Sequence, residues 1–162
     1  GVDELIHQGI ADSNNLFITG GSAGGIATAY AIGLTDRFRA AVVAKPVINW
    51  VSKVLTADSY IYQIPYQLPG MPWDEYEHYW KRSPLSLVGN VTTPTMLITG
   101  EDDQRTPISE TEQFYQALKL RKIDSIMVRV PGSSHGIAGR PSRLNAKVDN
   151  ILAWFDRYRS ID

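Results

Sequence analysis

Acyl transfer needs a nucleophile, a base and a group to orient the base, and this chain offers each at a place where a loop leaves an apolar run. The nucleophile candidate is Ser22, in ITGGSAGG (residues 18–25), directly after LFIT and directly before the small-residue stretch IATAYAIGL. That order reads strand, sharp turn, helix. A serine on such a turn stands clear of the sheet. The first amides of the following helix, Ala23 N–H among them, point to where an oxyanion would form, which makes Ala23 the expected oxyanion-hole donor. Glycines two positions before and after the serine, Gly20 and Gly24, would let strand and helix approach without Cβ clashes.

A serine hydroxyl is a poor nucleophile at neutral pH, so it requires a histidine to take its proton and a carboxylate to hold that histidine. Of the three histidines, His7 precedes the turn on an expected helix and His78 sits among charged and aromatic residues; both read as structural or solvent-facing. His135 lies in PGSSHGIAG (131–139), a loop directly after an expected strand, where parallel sheets carry ligand-handling groups. For the acid, the loop GEDDQRTP (100–107) follows another expected strand and offers Glu101, Asp102 and Asp103. Acids at a helix start also serve its dipole, so the cluster has a purely structural explanation as well. Serine, acid and histidine, each just past its own strand, follow the chain order of α/β-hydrolases.

The elements that must position these residues are visible as hydrophobic patterns. Apolar, β-branched runs at 16–19, 40–44 and 95–99, with a half-alternating run at 125–130, are expected strands. Helical patterns cover 23–34, 107–120 and about 142–158, the last with Leu144, Val148, Ile151, Leu152 and Phe155 at 3–4 spacing. Thr106 and Pro107 read as an N-cap and first-turn pair for the middle helix. Alternation of strand and helix predicts an α/β fold, a mostly parallel sheet with helices on both faces. Residues 50–90, rich in aromatics and prolines and without a strand pattern, read as a mostly helical excursion whose aromatics serve a core or a pocket.

With 162 residues and 43% hydrophobic content, the chain is the size of one ordinary domain. A net charge of −1 argues against nucleic-acid or anionic-membrane partners. Cysteine is absent, which removes thiolate chemistry, and no metal or other cofactor is implied. No run approaches the ~18 residues of a membrane span and no leader pattern opens the chain, so it reads as soluble, cytoplasmic or periplasmic. The chain starts without Met, in what looks like a helix, and an upstream segment is expected.

The motifs GGSAGG around Ser22, G-x-x-D-x-R-x-P from Gly100 to Pro107 and SSHG from Ser133 to Gly136, with WF near the end of the last helix, resemble the catalytic domain of the prolyl oligopeptidase family of serine peptidases. That family includes acylaminoacyl and dipeptidyl peptidases. The resemblance implies a partial α/β-hydrolase fold, with residues 1–162 forming the C-terminal part of a peptidase catalytic domain and the upstream strands and β-propeller absent. It implies the triad Ser22, Asp103 and His135, since the family's acid stands three after the glycine. Position 106 is often Val in the family, and Thr106 departs from it. Val47 and Trp50, in AKPVINW, match the wall of the pocket for the residue before the scissile bond.

The expected activity is hydrolysis of short peptides through an acyl-enzyme, with no cofactor and with a peptide and the missing N-terminal part of the same protein as partners. A second oxyanion donor is expected upstream of the serine turn, so the isolated chain is expected to be a weak catalyst. The strand at 16–19 would be internal in a complete sheet; with one side unpaired it is expected to favour a homo-oligomer. An esterase or lipase of the same fold, or a fragment serving only as an interaction domain, are the competing expectations.

Overall fold

The computed structural model describes residues 1–160. Its elements in chain order are α1 (Val2–His7), β1 (Phe17–Gly21), α2 (Ala23–Leu34), β2 (Ala40–Ala44), α3 (Trp50–Thr56), α4 (Tyr60–Gln67), α5 (Tyr76–Arg82), β3 (Thr95–Gly100), α6 (Ile108–Leu120), β4 (Ser125–Val130) and α7 (Pro141–Tyr158), with 3₁₀ turns at Pro84–Asn90 and Ile137–Gly139. The four strands form one parallel sheet in the order β1-β2-β3-β4.

AAVVA (β2) and TMLITG (β3) are buried at every position, as central strands covered on both faces must be. Successive side chains point to opposite faces. Ala41, Val43 and Leu97 pack under Ala29 and Ile32 of α2 and Phe114 and Leu118 of α6. Ala40, Val42, Ala44, Met96 and Ile98 face the other way, onto Trp154 of α7 and Ile137. The expected α/β class with helices on both faces is thus present. Trp154 also donates its indole N–H to the Ala41 carbonyl at 3.1 Å, which gives a buried polar handle its partner.

Two local expectations change. The first strand, expected at 16–19, extends through Gly21 because Gly20 and Gly21 pair with Val43 and Ala44. Thr106 is not the N-cap of α6. That place falls to Pro107, at φ −51° and ψ 146°, and the threonine hydroxyl turns inward to Asp103 and the Lys45 carbonyl instead.

Residues 50–90 are mostly helical, as the pattern suggested, with irregular links at 57–59 and 68–75, and their aromatics divide. Tyr79 is fully buried, whereas Tyr60, Tyr62, Tyr66 and Trp73 are exposed. What ties the start of this excursion to the core is Glu110 of α6. It is completely buried and accepts the backbone N–H groups of Ile48 and Asn49 at 2.9 and 2.8 Å, along with the Ser52 hydroxyl. Burial pushes its carboxyl pKa up, against the lowering effect of these hydrogen bonds.

Candidate active site

Ser22 sits at φ 59°, ψ −119°, a backbone conformation that non-glycine residues rarely hold. It is held there from both sides: its N–H donates to the Ala44 carbonyl of β2 at 3.0 Å, and its own carbonyl accepts from Ile26 of α2 at 3.0 Å. The strand and helix meet so closely that a Cβ built on Gly20 would lie 2.2 Å from the Gly24 carbonyl oxygen, while one on Gly24 would meet open space. Of the two flanking glycines, only Gly20 is required by space. Ala23 is the first residue of α2, so its N–H belongs to the helix turn that lacks an intrahelical acceptor.

Asp103, 2% exposed, is the acid the fold brings to the histidine. Its Oδ1 accepts the N–H groups of Arg105 and Thr106, both at 2.9 Å. Its Oδ2 lies 2.8 Å from His135 Nδ1 and accepts the Thr106 hydroxyl at 3.0 Å. Glu101 is turned away to Arg129, and Asp102 is exposed. His135 Nε2 completes the series 2.9 Å from Ser22 Oγ. With Nδ1–H directed at the carboxylate, Nε2 is the lone pair that faces the serine proton. His7 and His78, on α1 and α5, take no part.

The histidine loop is fixed by two further contacts. Lys45 Nζ donates to the His135 carbonyl at 2.6 Å; desolvation is the main cause that lowers the Lys45 pKa, with Lys147 adding to it and Asp103 opposing. Asp102 N–H donates to the Ser133 carbonyl at 3.0 Å, and the approach there is so close that a Cβ on Gly100 would sit 2.1 Å from that same oxygen.

Beside Ser22 and Ala23 lies a cavity of about 180 Å³, with Val47 and Trp50 among its lining residues. The two positions matched to a pocket wall therefore do border a space next to the serine, although Val47 is mostly core, at 3% exposure. Sequence reasoning did not single out Lys53 and Gln63, two polar members of that lining, and named Arg105 only as part of the G-x-x-D-x-R-x-P motif. The available signal was a lysine three residues after Trp50 in WVSKVLT, hence on the same helix face.

A family model described as the prolyl oligopeptidase family matches residues 1–161. The chain belongs to the prolyl oligopeptidase family. An uncharacterised peptidase of Bacillus subtilis is 36% identical over 160 residues, covering 97% of this chain and 24% of that protein. The acylamino-acid-releasing enzyme of Arabidopsis thaliana is 33% identical, covering 97% of this chain and 22% of that enzyme. Among solved structures, the acylaminoacyl peptidase of Pyrococcus horikoshii superposes with a TM-score of 0.88 at 26% identity, over 100% of this chain and 28% of that one. A puromycin-hydrolysing peptidase of Mycobacterium tuberculosis gives 0.88 at 29% identity, over 99% of this chain and 24% of that one. The chain thus spans about a quarter of the length of the prolyl oligopeptidase family members it matches. The parallel sheet with helices on both faces is the part of the α/β-hydrolase fold it shares with those structures.

Proposed function

We propose that this chain carries the nucleophile, base and acid of a serine peptidase that hydrolyses short peptides, of the acylaminoacyl or dipeptidyl type. The observation that supports this most is the unbroken series Asp103 Oδ2, His135 Nδ1, His135 Nε2, Ser22 Oγ, with spacings of 2.8 and 2.9 Å. Membership of the prolyl oligopeptidase family and the peptidase names of its relatives support a peptide as the substrate.

In this reading Ser22 Oγ attacks the substrate carbonyl as His135 Nε2 takes the hydroxyl proton. Asp103 holds the imidazole with Nδ1–H inward and stabilises the imidazolium that forms. The Ala23 N–H, at the positive end of α2, faces the oxygen on which charge develops. Collapse of the tetrahedral intermediate expels the amine, which receives the proton from His135 and leaves the acyl group on Ser22. Water then enters, activated by the same imidazole, and releases the acid. The cavity beside the serine receives the side chain of the residue whose carbonyl is attacked.

The test is intact mass after treatment with a small fluorophosphonate, on the protein and on Ser22→Ala and His135→Ala. One adduct mapping to Ser22, absent in Ser22→Ala and lost or slowed by a factor on the order of 10³ in His135→Ala, is expected. An adduct elsewhere, or labelling of Ser22 that ignores His135, refutes the assignment. Comparing an aminoacyl anilide with a short acyl ester then separates a peptidase from an esterase.

A further inference from the structure

Lys53 of α3 is 1% exposed, yet no carboxylate is paired with it among the described residues. The ion pairs there engage Asp3, Asp58, Glu101, Glu112, Asp103 and Asp124 with other partners. The acceptors of the Lys53 ammonium are both neutral: Ser59 Oγ at 2.6 Å and Gln63 Oε1. One of its three hydrogens is left without an acceptor among the described residues, and the Trp50 ring centroid stands 6.0 Å away. A buried ammonium with no carboxylate bonded to it is costly, because buried charges in folded proteins are generally paired.

The place where this charge is kept indicates the partner. Lys53 lines the same cavity as Ser22 and Trp50. Arg105 lines it too, but Asp58 pairs with that guanidinium at 2.7 Å, so the cavity walls carry one uncompensated positive charge. At about 180 Å³ the space is smaller than the ~300 Å³ at which pockets for whole small molecules begin; it is the scale of one side chain.

We infer that Lys53 makes this cavity a subsite for an acidic side chain, so that the residue whose carbonyl Ser22 attacks carries a carboxylate of glutamate or aspartate type. This rests on the serine-peptidase reading of the site. A carboxylate entering past Trp50 gives the ammonium its third acceptor and its counter-ion at once, and charge-assisted hydrogen bonds of this kind are about twice as strong as neutral ones. Desolvation brings the Lys53 pKa down to about 8. Arg105 pushes it the same way, and Asp58 and Glu110 oppose. The group facing it from α4, Gln63, and the intervening Ser59 are uncharged. The lysine is therefore cationic at neutral pH and loses its charge over the alkaline range.

Three peptidyl diphenyl phosphonates that differ only in a Glu, Gln or Leu side chain next to phosphorus test this. Labelling forms a Ser22 Oγ–P bond as a P–O bond to phenol breaks, and the serine proton passes through His135 to the departing phenoxide. Rates on wild type and Lys53→Met are each divided by that protein's own rate with a small fluorophosphonate, which separates failure of the serine from failure of the pocket. The expected result is a Glu probe about tenfold or more faster than the isosteric Gln probe on wild type. That ratio should fall towards one in Lys53→Met and on raising the pH from about 7 to about 9.5. Fluorophosphonate labelling with a Glu-to-Gln ratio of one or less on wild type overturns the subsite and leaves the serine reading standing, and it does so even if Lys53→Met does not fold. A high ratio that survives in a fluorophosphonate-reactive Lys53→Met overturns it as well. Silence with every probe removes the serine reading and the subsite together.

Discussion

Replacing Glu110 separates the role of its shape from the role of its charge. In Glu110→Ala the N–H groups of Ile48 and Asn49, which now donate to one carboxylate oxygen at 2.9 and 2.8 Å, lose their acceptor in the interior. At ~1–3 kcal/mol for each buried donor left unpaired, the loss is about 2–6 kcal/mol. Glu110→Gln behaves differently. Both amides point at Oε2, so a carboxamide oxygen placed there serves both, and its NH₂ faces the Ser52 hydroxyl, which can accept; only the long 3.4 Å bond from Gln113 Nε2 to Oε1 is given up. Its cost is expected to stay within ~1 kcal/mol. The pH dependence has a definite sign. Burial raises the folded-state pKa above the ordinary 4.5, so the folded protein holds that proton more tightly than the unfolded chain. The stability contributed by Glu110 is therefore highest below 4.5 and declines as pH rises through the raised value. Glu110→Gln lacks this term, so its stability relative to wild type should improve from about pH 4 to about pH 7. Urea unfolding followed by tryptophan fluorescence at both pH values measures all of this. An alanine cost under ~1 kcal/mol, a glutamine cost equal to alanine's, or a glutamine difference that does not change with pH refutes the reasoning.

Three other substitutions probe the support of the triad. Thr106→Val keeps the volume but removes the hydroxyl shared between Asp103 Oδ2 and the Lys45 carbonyl; a loss of ~1 kcal/mol in unfolding and slower fluorophosphonate labelling are expected, both restored in Thr106→Ser. Gly100→Ala puts a Cβ 2.1 Å from the Ser133 carbonyl, forcing apart the acid and histidine loops; it should cost ~1–3 kcal/mol and abolish labelling, whereas Gly89→Ala, with open space at its Cβ, should retain it. Lys45→Met removes the donor at the His135 carbonyl and should slow labelling more than it lowers the melting temperature.

How far the sequence could be read depended on whether the deciding force was local. Strands β2 and β3 are continuous apolar runs because both faces are covered, so they were legible. The spacing also showed α7 as a helix, but of its expected stripe only Ile151 and Phe155 pack on the sheet, beside the fully covered Trp154, while Leu144, Val148 and Leu152 are exposed. The helical character of 50–90 followed from the lack of a strand pattern. The loops carrying Ser22 and His135 were visible because each leaves a strand end. Spacing could not choose among Glu101, Asp102 and Asp103. The choice is made by a turn in which the Arg105 and Thr106 amides close on one carboxylate, and that depends on the backbone path. Thr106 looked like a cap because Thr-Pro often is one; the competing acceptors, Asp103 and the Lys45 carbonyl, become available only after folding. Lys53 and Glu110 were hidden for the same reason. A charged residue on a helix looks solvated until the tertiary fold covers it.

The order of the sheet sets when the serine can become reactive. Each strand pairs with the next one in the chain, β1 to β2 to β3 to β4, so the sheet can be assembled stepwise as the polypeptide leaves the ribosome. The serine turn is formed by β1 and α2, at the early end of that sequence. Its base, 113 residues later, arrives only after β4 has docked and the loop beyond it has closed. Until that loop closes, the serine turn, even with β2 in place to hold the Ser22 N–H, has nothing to take its proton. A site built in this order gains its base last, so the serine can react only once the final loop of the fold is in place.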